Sequence, residues 1–140
     1  MQVLDQAGQI CLNHLRQRGH HMVVGTERMP MNEKDRALDA WLVANARLGD
    51  KRAMAQLVEL RGPRLIAHAT RLLGEHDGAS DVAQEAWVDI LRGLRGLRDG
   101  RVFLPWALRI VSRKVAREIR REHRGRRLDA AVEAKKSPAS

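Results

Sequence analysis

From Asp35 to about residue 124, apolar side chains return every three or four positions, and no stretch alternates as a half-buried strand would. That spacing confines the chain to helices packed on one another. Asp35 stands where it would cap a first helix whose apolar face is Leu38, Trp41, Leu42, Ala46 and Leu48, closed by Gly49. Asp50 would cap a second, carrying Ala53, Met54, Leu57, Val58 and Leu60. Gly62-Pro63 predicts a kink or short break, after which Leu65, Ile66, Ala69, Leu72 and Leu73 continue the pattern to Gly74. Past the polar turn EHDGAS, Ser80 would cap a third helix buried through Val82, Ala86, Trp87, Ile90, Leu91 and Leu94. A last helix starts near Phe103, with Pro105 in its first turn and Leu104, Leu108, Val111, Val115 and Ile119 as its core face.

Composition agrees with this reading. Only 3% of the chain is aromatic, with no Tyr, which argues against a β-sandwich or barrel. A length of 140 residues that are 44% hydrophobic supports one domain. The expected fold is therefore all-α: a compact bundle of about four helices over residues 35–125. Residues 1–34 are expected to be a poorly ordered N-terminal extension, and residues 126–140 a C-terminal tail or the start of a linker.

Several function classes are disfavoured. A single cysteine, Cys11, excludes an internal disulfide and fits a reducing compartment. No apolar run approaches the roughly 20 residues of a membrane span, and the start lacks a secretion signal, so cytoplasmic residence is expected and no membrane partner. Cys11, His14, His20 and His21 are close in sequence but fit no zinc spacing. His68, His76 and His123 are isolated, and GLRGLRDG lacks the lysine of a phosphate loop. No enzyme, metal or cofactor is expected.

Charge narrows the field. The protein carries +9, and residues 95–127 alone hold twelve basic side chains against Asp99, Glu118 and Glu122, a surplus equal to the total. Arg109, Arg113, Arg117, Arg121 and Arg124 recur at three or four residues, so they line one helix face. Cations about 5 to 6 Å apart suit a run of backbone phosphates. Residues 75–94 are the reverse: five acids against Arg92, with Asp81, Glu85 and Asp89 repeating every four.

These last helices carry a recognisable order of residues. Ala79-Ser80-Asp81-Val82-Ala83-Gln84-Glu85-Ala86-Trp87 resembles the A-x-D-V-x-Q-E-x-aromatic segment of bacterial sigma factors. Phe103-x-x-Trp106, then Arg109-Ile110 and Arg120-Arg121, resembles their F-x-x-W-L-x-R-I … R-R helix. Upstream, Gly49-Asp50-x-x-Ala53 with Leu57, Pro63-Arg64-Leu65 and Leu72-Leu73-Gly74 is similar to the preceding helix. The match spans roughly residues 37 to 124. It resembles region 2 of the extracytoplasmic-function (ECF) type within the sigma-70 family.

That resemblance implies a transcription initiation factor domain that binds core RNA polymerase and recognises and melts the minus-ten promoter element. It assigns Asp81, Gln84, Glu85 and Asp89 to the β′ clamp helices of the polymerase. It assigns Arg95, Arg98 and Arg101 of the connector, with Arg109, Arg113, Lys114, Arg117, Arg120, Arg121 and Arg124 of the last helix, to the non-template strand. A base turned out of the stack would be held there too. With stacking aromatics scarce, phosphate contacts are expected to dominate; Phe103 and Trp106 are read as core. The family commonly has Asn where Arg113 stands and an acidic residue where Arg117 stands. Nothing in the sequence resembles region 4, the helix-turn-helix that reads the minus-thirty-five element. An anti-sigma factor is a further partner such a domain can have.

Two rivals remain at this level: a generic helical nucleic-acid-binding protein, and a sigma-like module that titrates an anti-sigma partner. A simple nucleic-acid binder gains nothing from the row Asp81, Glu85, Asp89.

Overall fold

The computed structural model describes residues 30–74 and 78–136. The expected extension over residues 1–34 falls almost wholly outside them, as do the cluster Cys11, His14, His20 and His21, and His76. Four α-helices are described: α1 (Glu33–Arg47), α2 (Lys51–Leu73), α3 (Ala79–Gly93) and α4 (Phe103–Lys136). Two 3-10 turns, Leu94–Gly96 and Gly100–Val102, join α3 to α4. Among the described residues there is no strand, so the all-α bundle is the fold.

α1 begins earlier than the sequence suggested. Asn32, not Asp35, is the N-cap: its side chain accepts from the Asp35 N–H at 2.8 Å, and Asp35 accepts from the Asn32 N–H at 3.2 Å. Each short polar side chain satisfies a backbone donor at the other's position, a reciprocal box that Asp35 alone could not form. Asp50 caps α2 as expected, accepting from the N–H groups of Arg52 and Ala53. Gly49 makes the preceding turn at φ 96°, a conformation in which a Cβ is strained.

α2 runs through Gly62-Pro63 without a break. The Pro63 ring faces solvent, while Leu57 and Val58 before it and Leu65, Ala69 and Leu73 after it are all buried. Burial on both sides outweighs the ~3 kcal/mol that an interior proline costs a helix. Gly74, at φ 63°, ends it. α3 starts at Ala79 after Gly78, at φ 105°, and no side chain caps it, so Ser80 lies inside the first turn rather than at the cap.

The core is built around α2, which packs against each of the other three helices. Trp87 and Phe103, both fully buried, stack with centroids 6.2 Å apart, and Phe103 meets Trp106 at 6.0 Å. The expected buried face of α3 is observed, with Ala83 added and Leu94 buried in the 3-10 turn that follows.

On α2, Leu60 and Leu72 of the expected apolar pattern are exposed, and α1 departs further. Its buried residues are Asp39, Leu42 and Val43, whereas Trp41 is 58% and Leu48 86% exposed, and Leu38 also faces water. Two distant residues fix this rotation. Arg61 of α2 pairs with Asp39, Nε to Oδ1 at 2.8 Å, with both side chains withdrawn from solvent, and its guanidinium also donates to the Asp35 carbonyl at 3.4 Å. Burial raises the Asp39 carboxyl above its ordinary pKa, against the opposing pull of Arg61. Gly100 then lies against the same face: a Cβ there would stand 2.8 Å from the Ala40 Cα and 3.0 Å from the Val43 Cβ.

α4 is anchored by Phe103, Leu104, Ala107, Val111 and Val115, with Leu108 and Ile119 partly covered. It also joins α2 through His68 and Ser112, Nε2 to Oγ at 2.8 Å. The Ser112 hydroxyl donates to the Leu108 carbonyl at 3.0 Å, so His68 is the donor in this pair. The helix does not stop at Gly125 but continues to Lys136 over good helix formers, and residues 126–135 are all exposed.

Candidate nucleic-acid and protein interfaces

The connector is held to the body at both ends. Leu94 and Leu97 are buried, the Arg47 guanidinium donates to the Arg95 carbonyl at 3.1 Å, and Asp99 accepts from the Arg101 N–H at 3.0 Å. This fixed backbone presents Arg95 and Arg98 to solvent. Arg101 is also on the surface, but it forms an ion pair with Glu33 of α1. Beside it lies a groove of about 570 Å³ lined by Met31, Arg36, Asp99, Arg101, Val102, Leu104, Pro105 and Leu108, mostly apolar with charged edges.

On α4, Arg109, Arg113, Arg117, Arg120, Arg121 and Arg124 are all exposed. At ~100° per residue, all of these but Arg121 fall within an arc of about 80° and span about 22 Å of axis. Arg121 lies about 40° further round. It turns toward α3, where it lines a groove of about 400 Å³ with Gly78, Asp81, Val82, Glu85, Glu118 and Glu122. Lys114 stands apart from the row as well: its Nζ is 3.0 Å from the Asp89 Oδ2, and its side chain is only 18% exposed.

On α3, Asp81 and Glu85 are exposed and Gln84 is half-buried on the same side of the helix. Asp89, one turn on, is the partner of Lys114. Glu118 and Glu122 of α4 extend this acidic surface across the groove. Their i, i+4 spacing was visible in the sequence, but they read there only as exceptions within a basic segment. Trp106 packs over Gly93, where a Cβ would meet its Cζ2 at 3.0 Å, which favours a packing role for this ring.

The structure thus separates the assigned residues into three groups, with Arg121 apart from them in the acidic groove. Arg109, Arg113, Arg117, Arg120 and Arg124, with Arg95 and Arg98 on the connector, are open to solvent. Asp81 and Glu85 form an exposed anionic surface with Gln84 beside them. Arg101, Lys114 and Asp89 are already engaged in ion pairs. Among the described residues no cluster of His, Cys, Asp or Glu could hold a metal ion, and no helix is long and apolar enough to cross a membrane.

Neither the curated proteins nor the solved structures include one that matches this chain. The family model for sigma-70 region 2 matches residues 57–125, a range that takes in most of α2, all of α3, the connector and the anchored part of α4. Both charged surfaces lie within it. Residues 57–125 therefore form a region 2 domain of the sigma-70 family, the part of a sigma factor that serves transcription initiation.

Proposed function

We propose that this domain docks core RNA polymerase through α3 and holds promoter DNA along the connector and α4. The observation that supports this reading most is the meeting of opposite charge on adjacent helices. Asp81, Gln84 and Glu85 offer carboxylates and an amide to a basic coiled coil such as the β′ clamp helices, with Asp89 one turn further. The arginine row of α4 faces elsewhere and suits the non-template strand of the minus-ten element. The groove between the connector and the start of α4 has the size and the mixed lining to take a base turned out of the stack, with Asp99 and Arg101 as polar edges. Opening the duplex costs stacking energy, and such a pocket with cationic backbone contacts offsets it. Within the family the residue order fits the ECF type, and a role on the chromosome places the protein in the cytoplasm.

The test is co-precipitation with core polymerase of wild type against Asp81→Arg and Glu85→Arg. Both positions are exposed, so the substitutions leave the core intact. Charge reversal at either should abolish or sharply weaken capture. Full retention by both would place the docking face elsewhere.

A further inference from the structure

An ion pair joins the two surfaces. Lys114 Nζ lies 3.0 Å from Asp89 Oδ2, with the carboxylate side chain 39% and the lysine 18% exposed. Asp89 is the third member of the row that starts at Asp81 and Glu85, on the helix assigned to polymerase. Lys114 sits between Arg113 and Arg117 in sequence, on the helix assigned to DNA.

Each residue is therefore shared between two neighbours. A guanidinium or ammonium group that approaches the acidic row competes with Lys114 for the Asp89 carboxylate. A phosphate that approaches α4 competes with Asp89 for the ammonium. A long, flexible lysine stem can swing from one to the other, whereas a bidentate arginine pair would hold its place.

We propose that the Asp89–Lys114 pair couples polymerase binding to DNA binding. In the free protein, Asp89 neutralises Lys114 and holds it away from the phosphate track. When cations of the polymerase occupy the acidic row, Lys114 is released and adds one more phosphate contact. Linkage makes the effect reciprocal: DNA that captures Lys114 exposes Asp89 and favours the polymerase to the same degree. A partly exposed pair of this kind supports a coupling of about two- to fivefold. The inference rests on the assignment of α3 to polymerase and α4 to DNA proposed above.

The experiment is a double-mutant cycle on the full chain, read by fluorescence anisotropy with a labelled AT-rich single strand across a salt series. Asp89→Asn should tighten DNA binding about two- to fivefold and steepen the log–log salt slope by about 0.7, the value of one added contact to a single strand. That gain should vanish when Lys114→Met is added. Glu85→Gln, which removes a like charge without freeing Lys114, should give a smaller gain and no added slope. In competition for core polymerase, Lys114→Met should bind tighter than wild type by the same two- to fivefold.

The proposal is overturned if Asp89→Asn leaves affinity and slope unchanged, or if its gain persists beside Lys114→Met, which would make it a generic charge effect. Arg113→Gln in the same assay is the separate control: no loss of binding there would sink the assignment of α4 to DNA rather than the latch.

Discussion

Asp39 of α1 and Arg61 of α2 meet at 2.8 Å inside the bundle, the carboxylate fully buried and the arginine 7% exposed. This contact fixes which side of α1 faces the core, and with it the exposure of Trp41. Removing one partner leaves an uncompensated charge in a dry site. Asp39→Ala should lower unfolding stability by about 3–5 kcal/mol, read from urea melts. The combined Asp39→Leu and Arg61→Met variant should recover most of that loss.

Gly100 sets the height of the connector. With a prospective Cβ 2.8 Å from the Ala40 Cα, the obstacle is backbone and cannot turn aside. Gly100→Ala should cost about 1–3 kcal/mol by overpacking and lift the 3-10 turn from α1. A thermal melt measures the first effect. The second should appear as weaker single-strand binding, because Arg95 and Arg98 would lose their common platform.

Arg113 and Arg117 are successive members of the exposed row. Replacing both with Gln should weaken binding to single-stranded minus-ten DNA and flatten the log–log salt dependence by about 1.4. A titration of affinity against salt checks this, and an unchanged slope would mean the row does not touch phosphates.

His68 predicts a stability that depends on pH. Burial, aided by the charge of Arg71, holds its pKa below the ordinary 6.5. The unfolded chain then takes up a proton at a higher pH than the folded one does. Stability contributed by this residue is complete above 6.5 and falls as pH drops through 6.5 toward the lowered folded value. His68→Gln, which retains a donor for Ser112, should remove that part of the pH dependence in denaturant melts taken on either side of 6.5.

The sequence carried the helices where local chemistry alone decides them. Gly49, Asp50 and Gly74 mark their turns without reference to anything distant, and the α3 face was legible because only one side of it is apolar. α1 was not, since two apolar sides compete there. The outcome is settled by Arg61, 22 residues away, and by Gly100, which packs on Ala40. Pro63 read as a kink or short break, and the break is not there: a local rule cannot weigh the burial on either side of it. The charged surfaces were legible as counts of residue type. How those charges pair was not: Lys114 with Asp89 and Arg101 with Glu33 depend on how one helix is rotated against another. Two residues assigned to DNA by the family order are thus occupied within the protein.

α4 has one backbone and two stabilities. From Phe103 to Val115 it is clamped by the core, but beyond Ile119 almost nothing of the bundle covers it, and past Gly125 the described side chains are all in water. An isolated helix of that length is marginal on its own propensity, so protection from hydrogen exchange should decay along a single unbroken element. The arginine row straddles this boundary. Arg109 and Arg113 stand on the clamped part, whereas Arg120 and Arg124 stand on the part that the bundle leaves in water.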